Sequence, residues 1–175
     1  MSNIEEFLNK RTLIIGDVNS GKTRCTLDII KLFVEKGIND IAVLDLAPRI
    51  FRGVGGKIDL SSYPGILYLT ADVLPPRLMG RDESETTELA LRNALLIEEL
   101  FARYRECPRE VLFINDVTLY LHKGTLETLL SVLDDSRTQV LNAYHGTVLG
   151  SSSLGARERR LVDELMESCD RVIKL

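Results

Sequence analysis

The chain has 175 residues, 45% of them hydrophobic and 27% charged, an ordinary composition for a globular protein able to bury a sizeable core. Its net charge of −4 gives no bulk attraction for nucleic acid, so such a partner is unsupported by charge and would need a local basic patch. No apolar run reaches the roughly 18 residues of a membrane span, and three widely spaced cysteines, Cys25, Cys107 and Cys169, with only two histidines, argue against a zinc site or a disulfide framework and fit a reducing cytoplasm.

The opening residues, MSNIEEFLNKR, carry acids early and no apolar stretch of the kind a signal peptide has. Thr12-Leu13-Ile14-Ile15 then reads as a short buried strand. It runs into Gly16-Asp17-Val18-Asn19-Ser20-Gly21-Lys22-Thr23, which fits G-x-x-x-x-G-K-[ST] at every fixed position. Glycines let successive backbone N–H groups converge on an anion. The positive end of a following helix strengthens such a site. Ile29, Ile30 and Phe33 recur at helical spacing after it, and Gly37 stands where a glycine commonly ends a helix. Strand, loop and helix are thus all in the positions a phosphate cradle needs. Residues 16 to 23, with Arg24 beside them, are the candidate nucleotide-binding residues. Lys22 is placed to reach the β- and γ-phosphates and Thr23 to offer its hydroxyl to Mg²⁺.

Residues 40 to 46 form a second apolar run and residues 65 to 70 a third. Between them, the stretch from Ala47 to Lys57 contains three glycines and a proline and reads as loop. Pro75 and Pro76 break the chain after the third strand. The longest periodic segment spans about Ser84 to Arg105. Ala90, Ala94, Ile97, Phe101 and Tyr104 fall on one helix face, with Asp82 and Glu85 as a capping pair at its start and Pro108 beyond its end. Glu110 to Asp116 is a fourth strand, apolar enough to be buried on both faces. A short leucine-rich helix (Leu126, Leu129, Leu130, Leu133) and a fifth strand (residues 138 to 144) follow. A helix over residues 154 to 168 and a last strand from Arg171 close the chain. Strands alternating with helices predict one α/β domain over residues 1–175: three layers, a mostly parallel sheet with helices on both faces.

A nucleotide site also calls for a carboxylate opposite Thr23 to hold Mg²⁺, at the tip of a buried strand. Asp116 ends such a strand. Asn115 beside it alternates to the other face, so only one of the two can point at the metal, and charge favours Asp116. Asn142, at the end of the fifth strand, suits a polar group that senses the γ-phosphate or the attacking water. Strand-end capping is the alternative use for it.

The glycine turn in this setting resembles that of P-loop nucleoside triphosphatases, and the order of parts resembles their RecA-like branch. "IAVLDLAP", "GILYLTAD", "VLFINDVT", "TQVLNAYHG" and "CDRVIKL" stand where that branch has its remaining core strands. The resemblance implies binding of ATP with Mg²⁺. RecA-like enzymes usually carry a glutamate just beyond the second strand to polarise the attacking water. Here the stretch is Asp45-Leu46-Ala47, so Ala47 offers no base and Asp45 is the nearest carboxylate. Fainter similarities, through "VLDLAPRIFRGVGGKIDL" and "NDVTLYLHKGTLETLL", run to polynucleotide 5′-hydroxyl kinases and to ATP:corrinoid adenosyltransferases. No N-K-x-D stretch follows Lys22, which disfavours a GTPase.

Three activities remain open on these residues. One is an ATPase, slow alone and activated by a protein partner or a second copy. Another is a phosphotransferase whose hydroxyl acceptor binds the 47–64 and 72–83 loops. The third is a nucleotide-dependent binding module without turnover. Arg49 and Arg52 are the basic residues best placed for an anionic second substrate. Arg157, Arg159, Arg160, His122, Lys123 and His145 are weaker candidates for phosphate or partner contacts.

Overall fold

Each apolar run becomes a strand of a single sheet. The computed structural model describes residues 3–150 and 152–175. After a 3-10 turn at Ile4–Glu6 come β1 (Arg11–Gly16), α1 (Lys22–Glu35), β2 (Ile41–Asp45), β3 (Leu67–Thr70), α2 (Pro76–Met79) and α3 (Glu83–Arg105). Then follow β4 (Val111–Asn115), α4 (Thr118–Leu121), α5 (Leu126–Leu133), β5 (Thr138–Tyr144), α6 (Ser153–Glu167) and β6 (Arg171–Lys174). The six strands lie in the order β3-β2-β4-β5-β1-β6, and every neighbouring pair is parallel. The α/β architecture expected from the sequence is therefore present, with a sheet that is wholly parallel. The strand that precedes the glycine turn, β1, and the acid-tipped β4 are separated by β5. That is the RecA-like arrangement. Because all strands run the same way, the ends of β1, β2, β4 and β5 share one edge, where α/β sheets place their ligands.

Period-two alternation divides the core between the two faces. Leu13, Ile15, Ala42, Leu44, Leu112, Ile114, Leu141 and Ala143 pack beneath α3, α4, α5 and α6. Ile14, Val43, Phe113 and Val140 point the other way, toward α1, Phe7, Ile58 and Leu60. Polar residues at the strand tips obey the same parity. Asp45, Asn115 and Asn142 follow Val43, Phe113 and Val140 by two, so all three face α1.

The long helices begin and end where the sequence places their caps. The Asp82 side chain accepts from the Glu85 amide at 2.8 Å at the start of α3. At the end of α1, Gly37 takes φ 81°, and the amides of Gly37 and Ile38 return to the carbonyls of Val34 and Phe33, a Schellman stop. Two one-turn helices were not expected. In α2, Pro76 takes a first-turn position, where its missing N–H is no loss. The other, α4, follows the tip of β4 directly. Among the described residues, no helix is long and apolar enough to cross a membrane.

Phe33 shows what seats α1 on the sheet. It is fully buried, edge-on to Phe113 at 5.6 Å and to Phe7 at 6.4 Å between ring centres. Phe33→Ala is expected to cost about 3–5 kcal/mol. The urea midpoint should fall with an unchanged m-value. A much smaller loss would mean that α1 is held by its loops instead.

Candidate functional site

The glycine turn leaves β1 at Gly16 and enters α1 at Gly21. Gly21 has φ 96° and caps the helix with no side-chain acceptor, a conformation glycine adopts without strain. Among the described residues, the amides of Gly21, Lys22 and Thr23 meet no acceptor. These are donors an oxyanion would satisfy, at the positive end of a 14-residue helix. Lys22 lies over the same turn, its Nζ donating to the carbonyls of Gly16 (3.0 Å) and Asp17 (2.5 Å). Burial lowers its pKa, while Asp116 and Asp17 favour its charge. Side chains fix the turn from both sides. The Asp17 carboxylate accepts from the Val18 and Thr147 amides, which holds its pKa below the usual carboxylate value. Asn19 donates to the Gly53 carbonyl at 3.3 Å.

Behind the turn runs a row of hydrogen-bonded side chains across three adjacent strands. Asn115 Nδ2 donates to Asp45 Oδ1 (2.9 Å), and Asn142 Nδ2 donates to Asn115 Oδ1 (2.7 Å). From α1, Thr23 Oγ1 donates to Asn115 Oδ1 at 3.3 Å, and Thr26 Oγ1 accepts from Asn142 Nδ2 at 2.9 Å. The residue set against Thr23 is thus Asn115. Strand parity explains this, since Asn115 shares the α1-facing side with Phe113.

Asp45 is wholly buried. Its two carboxylate oxygens accept from four donors: the Ala47 amide, the Ile58 amide, the Tyr68 hydroxyl and Asn115. A carboxylate so occupied positions its neighbours and has little left for a water. Asp45→Leu should therefore destabilise the fold, at about 1–3 kcal/mol for each donor left unpaired. A Tm equal to wild type with turnover lost would instead assign Asp45 a chemical role.

Asp116 leaves the strand geometry. It takes φ 62°, a left-handed conformation that aspartate tolerates better than most residues. Its amide is held by Asn142 Oδ1 at 2.8 Å. This turn carries its carboxylate into the cavity on the Lys22 side, where Thr118 Oγ1 donates to it. Burial pushes its pKa up to about 6, against the Thr118 hydrogen bond and the Lys22 charge.

A cavity of about 370 Å³ opens over the turn, lined by residues 18 to 24, Ala47, Asp116 and Asn142 and by both loops singled out in the sequence. Its far wall contains a buried cluster that the sequence reading missed. Arg77 donates to Glu158 (3.2 Å) and to the carbonyls of Leu149 and Gly150 (2.8 Å each). His122 Nε2 bonds the other Glu158 oxygen. Glu158 could have been recognised by its place on the apolar stripe of α6, with Leu154, Leu161 and Leu165. The remaining candidates stand elsewhere. Arg49 is exposed and 4.0 Å from Asp72, and Arg52 stacks on Phe51. Arg157 and Arg159 donate to the carbonyls of Gly124 and Gly146. Arg160 pairs with Glu164, and His145 with Asp163. None of these six, nor Lys123, lines the cavity.

No protein-family model matches the sequence, and no curated protein matches it. Among solved structures, the flagellar accessory protein FlaH from Methanocaldococcus jannaschii superposes with a TM-score of 0.48 at 6% identity, over 96% of this chain and 71% of that one. Pif1 helicase from Candida albicans gives 0.41 at 18% identity, over 100% of this chain and 39% of the helicase. Neither likeness carries function here. The RecA-like α/β architecture, with a P-loop turn after its first strand, rests on this chain's own strand order.

Proposed function

We propose that the protein binds Mg·ATP across Gly16 to Arg24 and turns it over slowly until a second component completes the site. The observation that carries this reading is the meeting of Lys22, Thr23 and Asp116 on one cavity, beside free amides at the start of α1. Those donors suit an oxyanion. The same residues fit a metal shared with phosphates. Among the described residues there is no cluster of three or more acidic, histidine or cysteine side chains for a protein-only metal centre. Thr23 would hold Mg²⁺, with Asn115 or Asp116 reaching it through water, since this ion keeps several of its waters. Bound there, Mg²⁺ would neutralise charge on the phosphates.

The residues of the chain then divide the work. The α1 amides and Lys22 orient the phosphates and stabilise charge that develops on them. Asp116 takes the proton of the attacking water. Its pKa near 6 leaves it ionised at neutral pH yet basic enough to accept that proton. A carboxylate so placed weighs against a binding module that never turns over. With Ala47 supplying no second carboxylate, basal hydrolysis stays slow. The test is phosphate release from purified protein given Mg·ATP or Mg·GTP, with and without DNA, RNA and small metabolites. Slow release with ATP, raised by one of the additions, is the expected result. Brisk hydrolysis by the protein alone, or no nucleotide binding at all, would refute the reading.

A further inference from the structure

The cavity is lopsided. Outside the turn itself, its walls come from the ends of β2, β4 and β5, from the loops that follow β2 and β5, and from the α2, α4 and α6 regions, and none comes from β6. In a P-loop the terminal phosphate lies toward the strand tip that faces the metal, which is β4 here. The enclosed space therefore lies beyond the γ-phosphate, where an acceptor of that phosphate would sit. The polarity of its walls restricts what can enter. Pro48, Val54, Pro75, Leu78 and Leu119 are apolar. Asp116 and Glu158 are acidic. Arg77 is spent on Glu158 and two carbonyls, and Arg24 is exposed and paired with Asp28. With Lys22 serving the nucleotide, no unpaired cation is left for an anionic acceptor among the described lining residues. The Asp116 carboxylate is free to receive a hydroxyl: Thr118 Oγ1 bonds one of its oxygens, and the other has no partner among the described residues.

Resting on the nucleotide reading above, we propose that this space binds a phosphoryl acceptor: a small alcohol without negative charge, held between the proline and leucine walls with its hydroxyl on Asp116. The alcohol oxygen bonds to the γ-phosphorus as the bond from that phosphorus to the β–γ bridging oxygen breaks. The alcohol proton passes to Asp116. The products are a nucleoside diphosphate and a phosphomonoester.

The test uses the full chain with Mg·ATP and a panel of glycerol, myo-inositol, ethanolamine and choline, set against glycerol 3-phosphate and a 5′-hydroxyl oligothymidylate. Phosphorus NMR reads the product, and calorimetry reads binding of Mg·AMP-PNP alone and then of the alcohol to the loaded protein. At least one uncharged or cationic alcohol should raise nucleoside diphosphate formation by a factor on the order of 10² and yield its phosphomonoester. Leu78→Trp, which fills the space, should abolish that gain and alcohol binding while Mg·AMP-PNP affinity stays unchanged. Transfer to glycerol 3-phosphate or to the oligonucleotide, or no gain with any uncharged or cationic alcohol, overturns the proposal even where AMP-PNP binds. Absence of AMP-PNP binding overturns the nucleotide reading and this one with it.

Discussion

Lys22→Ala should abolish turnover and weaken Mg·ATP binding about 10- to 150-fold, the equivalent of a charged hydrogen bond worth ~1.5–3 kcal/mol, while leaving the fold intact. The side chain contributes little to the core. Its Nζ rests on two carbonyls of the turn, and burial already disfavours its charge. An arriving triphosphate offers better acceptors and a compensating charge. Calorimetric titration with Mg·ATP measures the affinity, and circular dichroism with a melting curve checks the fold. Unchanged affinity in the variant would remove the P-loop reading altogether.

Asp116→Asn is the second decisive change. If this carboxylate receives the proton, turnover should fall by about 10²–10⁴ with nucleotide affinity largely kept. Wild-type turnover should rise with pH through about 6, following the pKa of Asp116, and vanish below it as the base becomes protonated. The same residue should move stability in the opposite sense. Its folded-state pKa lies above the ordinary aspartate value of 3.8, so the folded protein binds more protons than the unfolded chain between those two values. Stability is fullest below the lower one and declines as pH climbs through the upper. Asp116→Asn removes the buried charge, so its Tm should exceed that of wild type at pH 8 and match it near pH 4. Asn115→Ala separates the roles, because it strips the partner of Thr23 and should raise the Mg²⁺ requirement instead. Should Asn115→Ala stop turnover while Asp116→Asn leaves it untouched, the proton acceptor lies elsewhere.

The glycine turn was legible because it is local: eight consecutive residues fix the conformation and the helix start together. The strands were legible as apolar runs, and α3 as a stripe from Ala90 to Tyr104. Parity could have told Asn115 from Asp116, since Asn115 is two residues beyond Phe113 and shares its face. It could not have shown where Asp116 goes, because a left-handed residue follows no alternation. That turn is held by Asn142, on a different strand. Nor was the cluster of Arg77, His122 and Glu158 visible. Its members come from α2, the residue that ends α4, and α6, far apart in sequence, and only folding brings their charges together. Glu158 looked like one more charge among Arg157, Arg159 and Arg160 until its position on the buried side of α6 set it apart.

The row from Asp45 to Asn142 has a direction. A carboxylate only accepts, so Asn115 must turn its NH₂ group toward Asp45 and its carbonyl oxygen toward Asn142. Asn142 must answer with its own NH₂, which leaves its carbonyl oxygen for the Asp116 amide. Thr23 faces the same Asn115 oxygen and has to give up its proton to it. The lone pairs of the Thr23 hydroxyl are thereby left pointing away from the row, free for a cation. One buried carboxylate thus settles the orientation of two amides and a hydroxyl over three strands and a helix. The Asp116 amide pins the other end, because a backbone N–H cannot accept. Asp45→Asn therefore gives the row no second direction to run in: its NH₂ group would face either the NH₂ of Asn115 or the N–H of Ile58, a donor against a donor.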